Sequence, residues 1–240
     1  MKFLTLLFLT FTLFSCSQKE IDYKIMTDKQ LYEQGNIEIK KKEYDTAINT
    51  LSLIETNYPY SNLVSKSWIN LGYSYYISKK YTDAISVYEK FLKFHPTNKL
   101  VPYVKYMIAM SYYDQMNPIN KDQTATKVAL KKMLDLEKSH PNSVYAKDVK
   151  AKISIAFNAL ASKEMIIAKT LMNKKNIIGA LNRYQTVITD YDKSIFTPEA
   201  LFRIAEIYYM IEEPVQSQNI KQILIKNYPN SSWSKKVKVI

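Results

Sequence analysis

The feature that most constrains the fold of this chain is a short turn motif that recurs at nearly regular intervals. It reads NYPYS at 57–61, FHPTN at 94–98, SHPNS at 139–143 and NYPNS at 227–231. Pro59 and Pro96 are 37 residues apart, and the same step counted back from Pro229 reaches Asp192 in DYDKS, a fifth copy without proline. A fixed period of this length predicts an array of stacked supersecondary units, each of which buries its apolar face against its neighbours.

Two segments with helical apolar spacing precede each turn motif. The clearest copy carries Trp68, Leu71, Gly72, Tyr75, Ala84, Tyr88 and Pro96. This spacing resembles the tetratricopeptide pattern, in which Gly72 and Ala84 fall where the two helices of a pair approach closely and Pro96 ends the second helix. Trp68, Leu71 and Tyr75 share one face of the first helix, and we expect that face to pack against the neighbouring helices.

Four weaker copies complete the array. They consist of Leu31, Gly35, Ala47, Leu51 and Pro59; of Ile108, Ala109, Tyr112, Ala129, Met133 and Pro141; of Ile167, Ala168, Leu171, Ala180, Tyr184 and Asp192; and of Ile204, Ala205, Tyr208, Ser217 and Pro229. The stretch from Val144 to Lys174 contains neither proline nor glycine, and it is predicted to form one long helix or two barely separated ones. The predicted fold is therefore all-α, an α-solenoid of five tetratricopeptide-like helix pairs.

The N-terminus carries a short apolar run. Met1-Lys2 precedes a segment from Phe3 to Phe14 that is broken only by threonines. This run is shorter than the roughly 20 residues that a membrane-spanning helix needs, so it predicts a secretory signal rather than a permanent span. The alternative, a buried strand or helix, is disfavoured because a polar stretch follows at once.

The only cysteine of the chain stands directly behind this run. Leu13-Phe14-Ser15-Cys16 resembles the bacterial lipobox, whose cysteine becomes the first residue of the mature protein and carries acyl chains. The resemblance implies that residues 1–15 are removed, that Cys16 bears a covalent N-acyl diacylglyceride lipid, and that residues 16–26 form a tether. Because Ser17 is not aspartate, the implied location is the outer membrane, with the domain facing the periplasm.

The formal net charge of +12 comes almost entirely from lysine. One interpretation is an ordinary lysine-rich surface, and the other is affinity for an anionic membrane or for nucleic acid. Export of the chain would exclude a soluble nucleic-acid-binding repeat protein, so no nucleic-acid partner is expected.

No constellation of catalytic residues is evident in the sequence. His95 and His140 both precede a motif proline, and Tyr58 and Tyr228 fill the equivalent position in other copies, so we interpret the histidines as packing residues. Metalloprotease, redox, serine-hydrolase and phosphate-loop motifs are all missing, and three glycines leave little room for a phosphate-binding loop. The sequence predicts a protein that is not an enzyme and needs no metal or cofactor.

Aromatic stripes on the first helices of the pairs form a candidate groove for an extended peptide. The stripe residues are Tyr32, Asn36, Ile69, Tyr73, Tyr76, Tyr103, Tyr106, Met110 and Tyr113. Tyrosine suits peptide binding because it combines a rigid apolar ring with a hydrogen-bonding tip. The alternative is that these side chains only pack helices or lie on a wet surface.

Several stretches of the chain resemble the BamD family of outer-membrane lipoproteins, and they are most similar to its alphaproteobacterial branch. These stretches are YVKYM (103–107), DQTATKVAL (122–130), ALASKEM (159–165), ALNRYQTVITDY (180–191) and TPEALFRIAEIYY (197–209). The resemblance implies a scaffold of the β-barrel assembly machinery that holds the periplasmic domains of BamA, works beside other Bam lipoproteins and receives unfolded β-barrel proteins. It assigns client binding to residues 27–143 and BamA binding to residues 144–240.

The resemblance also implies one contact residue. Asn182-Arg183 matches an Asn-Arg pair of the family, and Arg183 and Arg203 are the two arginines of the chain. Arg183 is therefore predicted to pair with an acidic residue of BamA, the alternative being an ordinary surface cation. A rival function is that of a general periplasmic tetratricopeptide lipoprotein for pilus or cell-envelope assembly.

Overall fold

The computed structural model describes residues 23–237. Across that range the backbone forms α-helices, one 3-10 turn and connecting turns, with no β-strand. The 3-10 turn spans Tyr23–Ile25, and the helices are α1 (Asp28–Lys40), α2 (Tyr44–Asn57), α3 (Val64–Ile77), α4 (Tyr81–Phe94), α5 (Val101–Tyr113), α6 (Thr124–Ser139), α7 (Val144–Asn173), α8 (Ile177–Asp190), α9 (Thr197–Met210), α10 (Pro214–Asn227) and α11 (Ser232–Lys236). The predicted all-α fold is confirmed.

Helices α1 to α10 form five consecutive antiparallel pairs, and α11 packs against the last pair. The first helices α1, α3, α5 and α7 also contact one another in succession, which gives the stack a continuous inner layer. A Cβ atom added at Gly35 would lie 2.6 Å from Leu51, and one at Gly72 would lie 2.6 Å from the Tyr88 ring. Glycine at these positions is therefore explained by close helix approach, as the repeat pattern predicts.

The turn motif ends the second helix of each pair through one recurring backbone conformation. Tyr58, His95, His140 and Tyr228, the residues before proline, have φ between −139° and −132° and ψ between 53° and 59°. Proline disfavours the α conformation at the residue before it and cannot donate a backbone hydrogen bond itself, so the helix ends there. Tyr191 adopts nearly the same conformation, with φ −130° and ψ 37°, although Asp192 replaces the proline.

The long interval between repeats three and four is one uninterrupted helix of 30 residues, α7. Ser143 caps its start, because the Ser143 hydroxyl oxygen accepts a hydrogen bond from the Ala146 N–H at 3.0 Å. The single-helix form of the prediction for Val144 to Lys174 is therefore confirmed. Helix α7 is the first helix of the fourth pair, and it contacts α5, α6 and α8.

Three apolar clusters overlap along the stack. Helices α1 to α5 build the first cluster, α5 to α9 build the second, and α9 to α11 with Val237 build the third. Helix α5 belongs to two of them, since Ile108 lies in the first and Ala109 in the second. The repeats therefore share their cores, and the functional division into residues 27–143 and 144–240 stays a prediction.

Part of the predicted tether is packed against the first repeat. The Tyr23 hydroxyl donates to Glu38 Oε1 at 3.1 Å, and the Met26 carbonyl accepts a hydrogen bond from the Tyr58 hydroxyl at 2.8 Å. The last residues of the predicted tether 16–26 are thus held to the domain by these bonds and by the partial burial of Tyr23 and Met26, and the tether stays a prediction for the residues before Tyr23. Cys16 and the predicted signal segment 1–15 lie outside the described residues, and none of the described helices has the length and apolarity to cross a bilayer.

Candidate functional site

The predicted groove residues of the first two repeats lie together. Tyr32 and Asn36 of α1 and Tyr73 of α3 are half-buried. Asn70, also on α3, links the two helices, because its Nδ2 donates to Asn36 Oδ1 at 2.6 Å and lies 3.4 Å from the Tyr32 hydroxyl. A mixed aromatic and amide surface therefore runs from α1 to α3, and Asn70 is a member that the stripe pattern missed.

A second aromatic group joins α5 to α7. The Tyr103 and Tyr106 rings lie 5.6 Å and 5.2 Å, centroid to centroid, from the ring of Tyr145. Burial raises the pKa of Tyr106 to about 12, with a further contribution from its hydrogen bond to the Asp148 carboxylate. The Tyr106 hydroxyl thus stays protonated as a donor over the whole physiological range. Tyr145 opens α7, so only the packing of α7 on α5 brings it to the site.

Tyr76 and Tyr73 are held by neighbours from other helices. The Tyr76 hydroxyl donates to the Asp114 carboxylate, and its ring lies 5.7 Å from that of Tyr81. Burial raises the pKa of Tyr76 above its ordinary value, and the bond to Asp114 adds to the shift. The Tyr73 ring meets the Tyr44 ring edge-on at 6.3 Å. These contacts fix ring orientations in advance, which lowers the entropy that a bound peptide would have to overcome.

The remaining predicted groove residues have different surroundings. Ile69 and Tyr113 are half-buried, each packed against one of the apolar clusters. Met110 is 3 % exposed and belongs to the second cluster. Its assignment to the groove surface is wrong, because the Met110 side chain is packed inside this cluster, although helical spacing alone places it beside Tyr103 and Tyr106.

A large cavity lies in the other half of the stack. It has a volume of about 630 Å³, between the second half of α7 and α9, and its apolar walls include Met165, Ile166, Met172, Phe196, Tyr209 and Met210. Arg203 forms part of the wall, where Glu206 at 2.8 Å and Glu199 at 3.6 Å hold its guanidinium. Sequence patterns missed this groove, because its walls come from helices whose relative position only packing determines.

Arg183 already has an acidic partner within its own chain. Its Nη1 donates to Glu164 Oε2 of α7 at 3.0 Å. The Arg183 side chain is 47 % exposed and that of Glu164 only 12 %, so the remaining donors of the guanidinium stay accessible. Arg183 does not line the groove between α7 and α9. The predicted BamA contact residue is thus a half-exposed arginine oriented by an intramolecular ion pair.

The histidines show no arrangement for chemistry. The His95 ring lies 5.3 Å from Phe91 and 6.0 Å from Trp68, centroid to centroid, which confirms its packing role. His140 Nδ1 contacts the Ser139 hydroxyl at 2.9 Å. Among residues 23–237, no group of three or more His, Cys, Asp or Glu side chains is placed to hold a metal ion.

Comparison with known families and proteins gives consistent matches. The family model described as "YfiO: Outer membrane lipoprotein" matches residues 24–223. The outer membrane protein assembly factor BamD of Rickettsia prowazekii is 31 % identical over 217 residues, which cover 90 % of this chain and 86 % of the relative. BamD of Caulobacter vibrioides is 30 % identical over 203 residues, with 85 % and 67 % covered.

Solved structures bear on the fold alone. A crystal structure of a tetratricopeptide repeat protein from Bacteroides fragilis aligns over 89 % of this chain and 98 % of its own, with a TM-score of 0.52 and 14 % sequence identity. At that identity the likeness extends to the stacked helix pairs and no further.

Proposed function

Since the chain belongs to the YfiO family of outer membrane lipoproteins, we propose that it is a BamD-type assembly factor for outer membrane proteins. The observation that carries this proposal is the family match over residues 24–223, which spans nearly every described residue. Relatives from Rickettsia and Caulobacter, which are both alphaproteobacteria, support the same branch of the family.

In this role the protein is a scaffold without catalytic turnover. Its proposed partners are the periplasmic domains of BamA, the other Bam lipoproteins and unfolded outer-membrane β-barrel proteins. The stack of helix pairs supports such a role, because it offers long continuous surfaces on which several polypeptides can bind side by side.

The client site in this proposal is the aromatic surface of the first three repeats. A β-strand of a barrel protein presents unpaired backbone groups and alternating apolar side chains, with aromatic residues near its ends. The amide of Asn70 and the hydroxyls of Tyr32 and Tyr106 can bond backbone groups, and the tyrosine rings can cover apolar side chains. The preset ring contacts around Tyr145 support this assignment.

Photo-crosslinking tests the client site. We expect a photoreactive amino acid at Tyr73 or at Tyr106 to capture the C-terminal peptide of a barrel protein. Glu89 is the matched control, because it is exposed on the outer helix α4 and pairs with Lys132 of the outer helix α6. Capture at Glu89 without capture at Tyr73 or Tyr106 would reject the groove.

The BamA contact in this proposal uses Arg183, oriented by Glu164. Planar guanidinium groups can bond two carboxylates at once, so the intramolecular pair is compatible with a second, intermolecular one. The charge reversal Arg183→Glu is expected to weaken co-purification with BamA. However, the same change also places two carboxylates side by side within the chain.

A control variant separates these two effects. Glu164→Gln removes the intramolecular ion pair and leaves the Arg183 charge in place, so co-purification should persist. If Glu164→Gln loses BamA as completely as Arg183→Glu does, the result for Arg183→Glu reports loss of the ion pair and no longer supports a direct contact by Arg183.

The lipid anchor is the last part of the proposal. Acylation at Cys16 would attach the mature chain to the outer membrane, with the domain in the periplasm. Cys16→Ser should yield an unprocessed or unacylated chain that no longer fractionates with outer membranes, and mass spectrometry of the mature N-terminus reads the acyl chains directly. An unmodified Cys16 in membrane-purified protein would contradict the assignment.

A further inference from the structure

A carboxylate without a cationic partner lies at one end of the candidate groove, where α3 meets α5. Two carboxylates accept hydrogen bonds from groove tyrosines, Asp114 from the Tyr76 hydroxyl and Asp148 from the Tyr106 hydroxyl. Asp148 is also paired with Lys152, whose Nζ lies 2.7 Å from its Oδ2. None of the ion pairs within residues 23–237 includes Asp114, so of the two carboxylates it alone lacks a lysine or arginine partner in that range.

The helix that ends at Asp114 makes this place more negative. The Asp114 backbone N–H caps the C-terminal end of α5. The last carbonyl groups of a helix carry partial negative charge, which favours a cation nearby and disfavours an aspartate. In the turn between α3 and α4, Lys80 is paired with Asp45 at 2.9 Å and Lys79 is exposed, and neither forms an ion pair with Asp114. An external cation would therefore meet two sources of negative potential, the carboxylate and the helix end.

Tyrosines from three helices lie within the field of this carboxylate. The rings of Tyr76 on α3 and Tyr81 on α4 meet edge to face, with 5.7 Å between their centroids and 61° between their planes. Burial raises the pKa of Tyr81 above its ordinary value, and the charge of Asp114 raises it further. The charge of Asp114 also adds to the raised pKa of Tyr106 on α5, after burial and the bond to Asp148. All three rings are half-buried, so a ligand can still reach them.

A carboxylate among tyrosine rings has the chemistry of a site for a cationic side chain. The face of a tyrosine ring carries negative potential and attracts a guanidinium or ammonium group. A guanidinium can bond a carboxylate with its planar donors while it stacks on a neighbouring ring, which an ammonium group cannot reproduce. The net charge of +12 repels cations from the chain at long range, so any cation that binds here is held by local groups.

We propose that the groove selects client strands that carry an arginine, and that Asp114, Tyr76, Tyr81 and Tyr106, the acidic corner, bind its guanidinium. The Tyr76 hydroxyl bonds Oδ2 of Asp114, and the other carboxylate oxygen accepts the guanidinium donors. The tyrosine rings cover the flat faces of the guanidinium. This inference rests on the client site of the proposed function. It adds a basis for specificity, because alternating apolar side chains occur in many segments and a positive charge at one position narrows the choice.

Two synthetic peptides of about ten residues, the length of a strand in a barrel, test this selection. Both alternate apolar and polar residues and end in phenylalanine, and they differ at one central position, which is arginine in one and glutamine in the other. Fluorescence anisotropy measures the binding of each peptide to the mature chain in detergent. The parent chain should bind the arginine peptide about fivefold more tightly, as expected for a charged contact that stays partly exposed to water.

A neutral variant and a matched control locate the preference. Asp114→Asn removes the charge and keeps a side-chain oxygen for the Tyr76 bond, so the ratio of the two affinities should fall to about one. Asp190→Asn is the control, because Asp190 is also exposed at the C-terminal end of a helix, α8, in the other half of the stack. Both variants change the net charge equally, so the general repulsion of cations is the same. Asp190→Asn should keep the fivefold ratio.

A charge swap separates direct contact from an altered fold. Asp114→Lys should bind a third peptide, with glutamate at the central position, about fivefold more tightly than the arginine peptide. A variant that failed to fold would lose both peptides, and it would not reverse the preference. Circular dichroism of each variant reports the helical fold independently.

The outcomes distinguish the acidic corner from the groove itself. Equal affinities of the arginine and glutamine peptides for the parent chain would overturn the acidic corner and leave the client groove standing. A preference that persists in Asp114→Asn would overturn it as well, because another part of the chain would then discriminate. Loss of the preference in Asp190→Asn would assign it to overall charge, with the same consequence. If neither peptide binds the parent chain, the client site of the proposed function fails, and this inference fails with it.

Discussion

Replacing Gly72 by alanine tests the closest approach of two helices in the second repeat. An added Cβ would lie 2.6, 2.7 and 2.9 Å from three atoms of the Tyr88 ring, which are separations that real Cβ atoms do not show. Tyr88 is fully buried, and close-packed neighbours hold its planar, rigid ring in place. The clash can therefore be relieved only by moving α3 away from α4 or by displacing the ring.

Two opposing effects set the size of the change. Forcing an extra carbon into a well-packed core costs about 1–3 kcal/mol. The higher helix propensity of alanine offsets about 1 kcal/mol of that cost. The balance is a loss of up to about 2 kcal/mol in the free energy of unfolding, measured by urea titration of the mature chain with circular dichroism.

Gly179→Ala is the matched control. Its added Cβ would meet only the amide end of Asn176, an exposed side chain that can rotate away. Rotation would lose the hydrogen bond that Asn176 Oδ1 accepts from the Gly179 N–H. The gain in stability from the higher helix propensity of alanine and the loss from the missing N-terminal cap should therefore cancel to within about 0.5 kcal/mol.

A second variant, Tyr88→Leu, should relieve the clash between the added Cβ and the ring, and it should show a favourable coupling with Gly72→Ala of about 1 kcal/mol. A Gly72→Ala chain that is more stable than the parent by the full helix-propensity gain of about 1 kcal/mol would refute the close-packing argument.

Three further changes test other parts of the structure. Lys79 has φ 59°, a left-handed conformation that glycine adopts without strain, so Lys79→Gly should stabilise the fold by about 0.5–1 kcal/mol in the same titration. The pKa of Tyr106 is about 12 in the folded chain and about 10 in the unfolded chain, so the protonated Tyr106 hydroxyl contributes fully to stability below pH 10 and loses this contribution as pH rises toward 12. The free energy of unfolding of Tyr106→Phe should therefore fall less than that of the parent between about pH 9 and 11. Ser143→Ala should cost about 1 kcal/mol of the free energy of unfolding, because the cap of α7 disappears; an unchanged value in any of the three would contradict its stated cause.

Local turn chemistry shows where sequence patterns succeeded and where they fell short. The proline of the turn motif predicted the end of each second helix, because its effect is steric and confined to two residues. The turns inside the pairs gave no such signal. Lys42, Lys79, Lys175 and Glu212 adopt the left-handed conformation there, with φ of 59° to 63°, at positions where glycine is the usual sign of a helix end.

The binding surfaces were predictable in part. Helical spacing placed Tyr32 and Tyr73 on the solvent-facing side of the first helices of their pairs, because the spacing of residues along one helix fixes which side chains share a face. The same spacing could not reveal that Met110 is buried in the second apolar cluster or that Tyr145 completes the aromatic group. Those outcomes depend on how the helices pack against one another, which no period within a single helix encodes.

The sequence by itself determined the period of the stack, the pairing of helices and the family, because each follows from residues that are close along the chain. The tertiary structure alone decided that Glu164 holds Arg183, that a groove separates α7 from α9, and that the entering chain docks beside Tyr58. The physical reason is that helix packing depends on the fit of whole surfaces. A few ångströms of axial shift between α7 and its neighbours would break the Glu164–Arg183 pair and reshape the groove, and it would leave the repeat pattern unchanged.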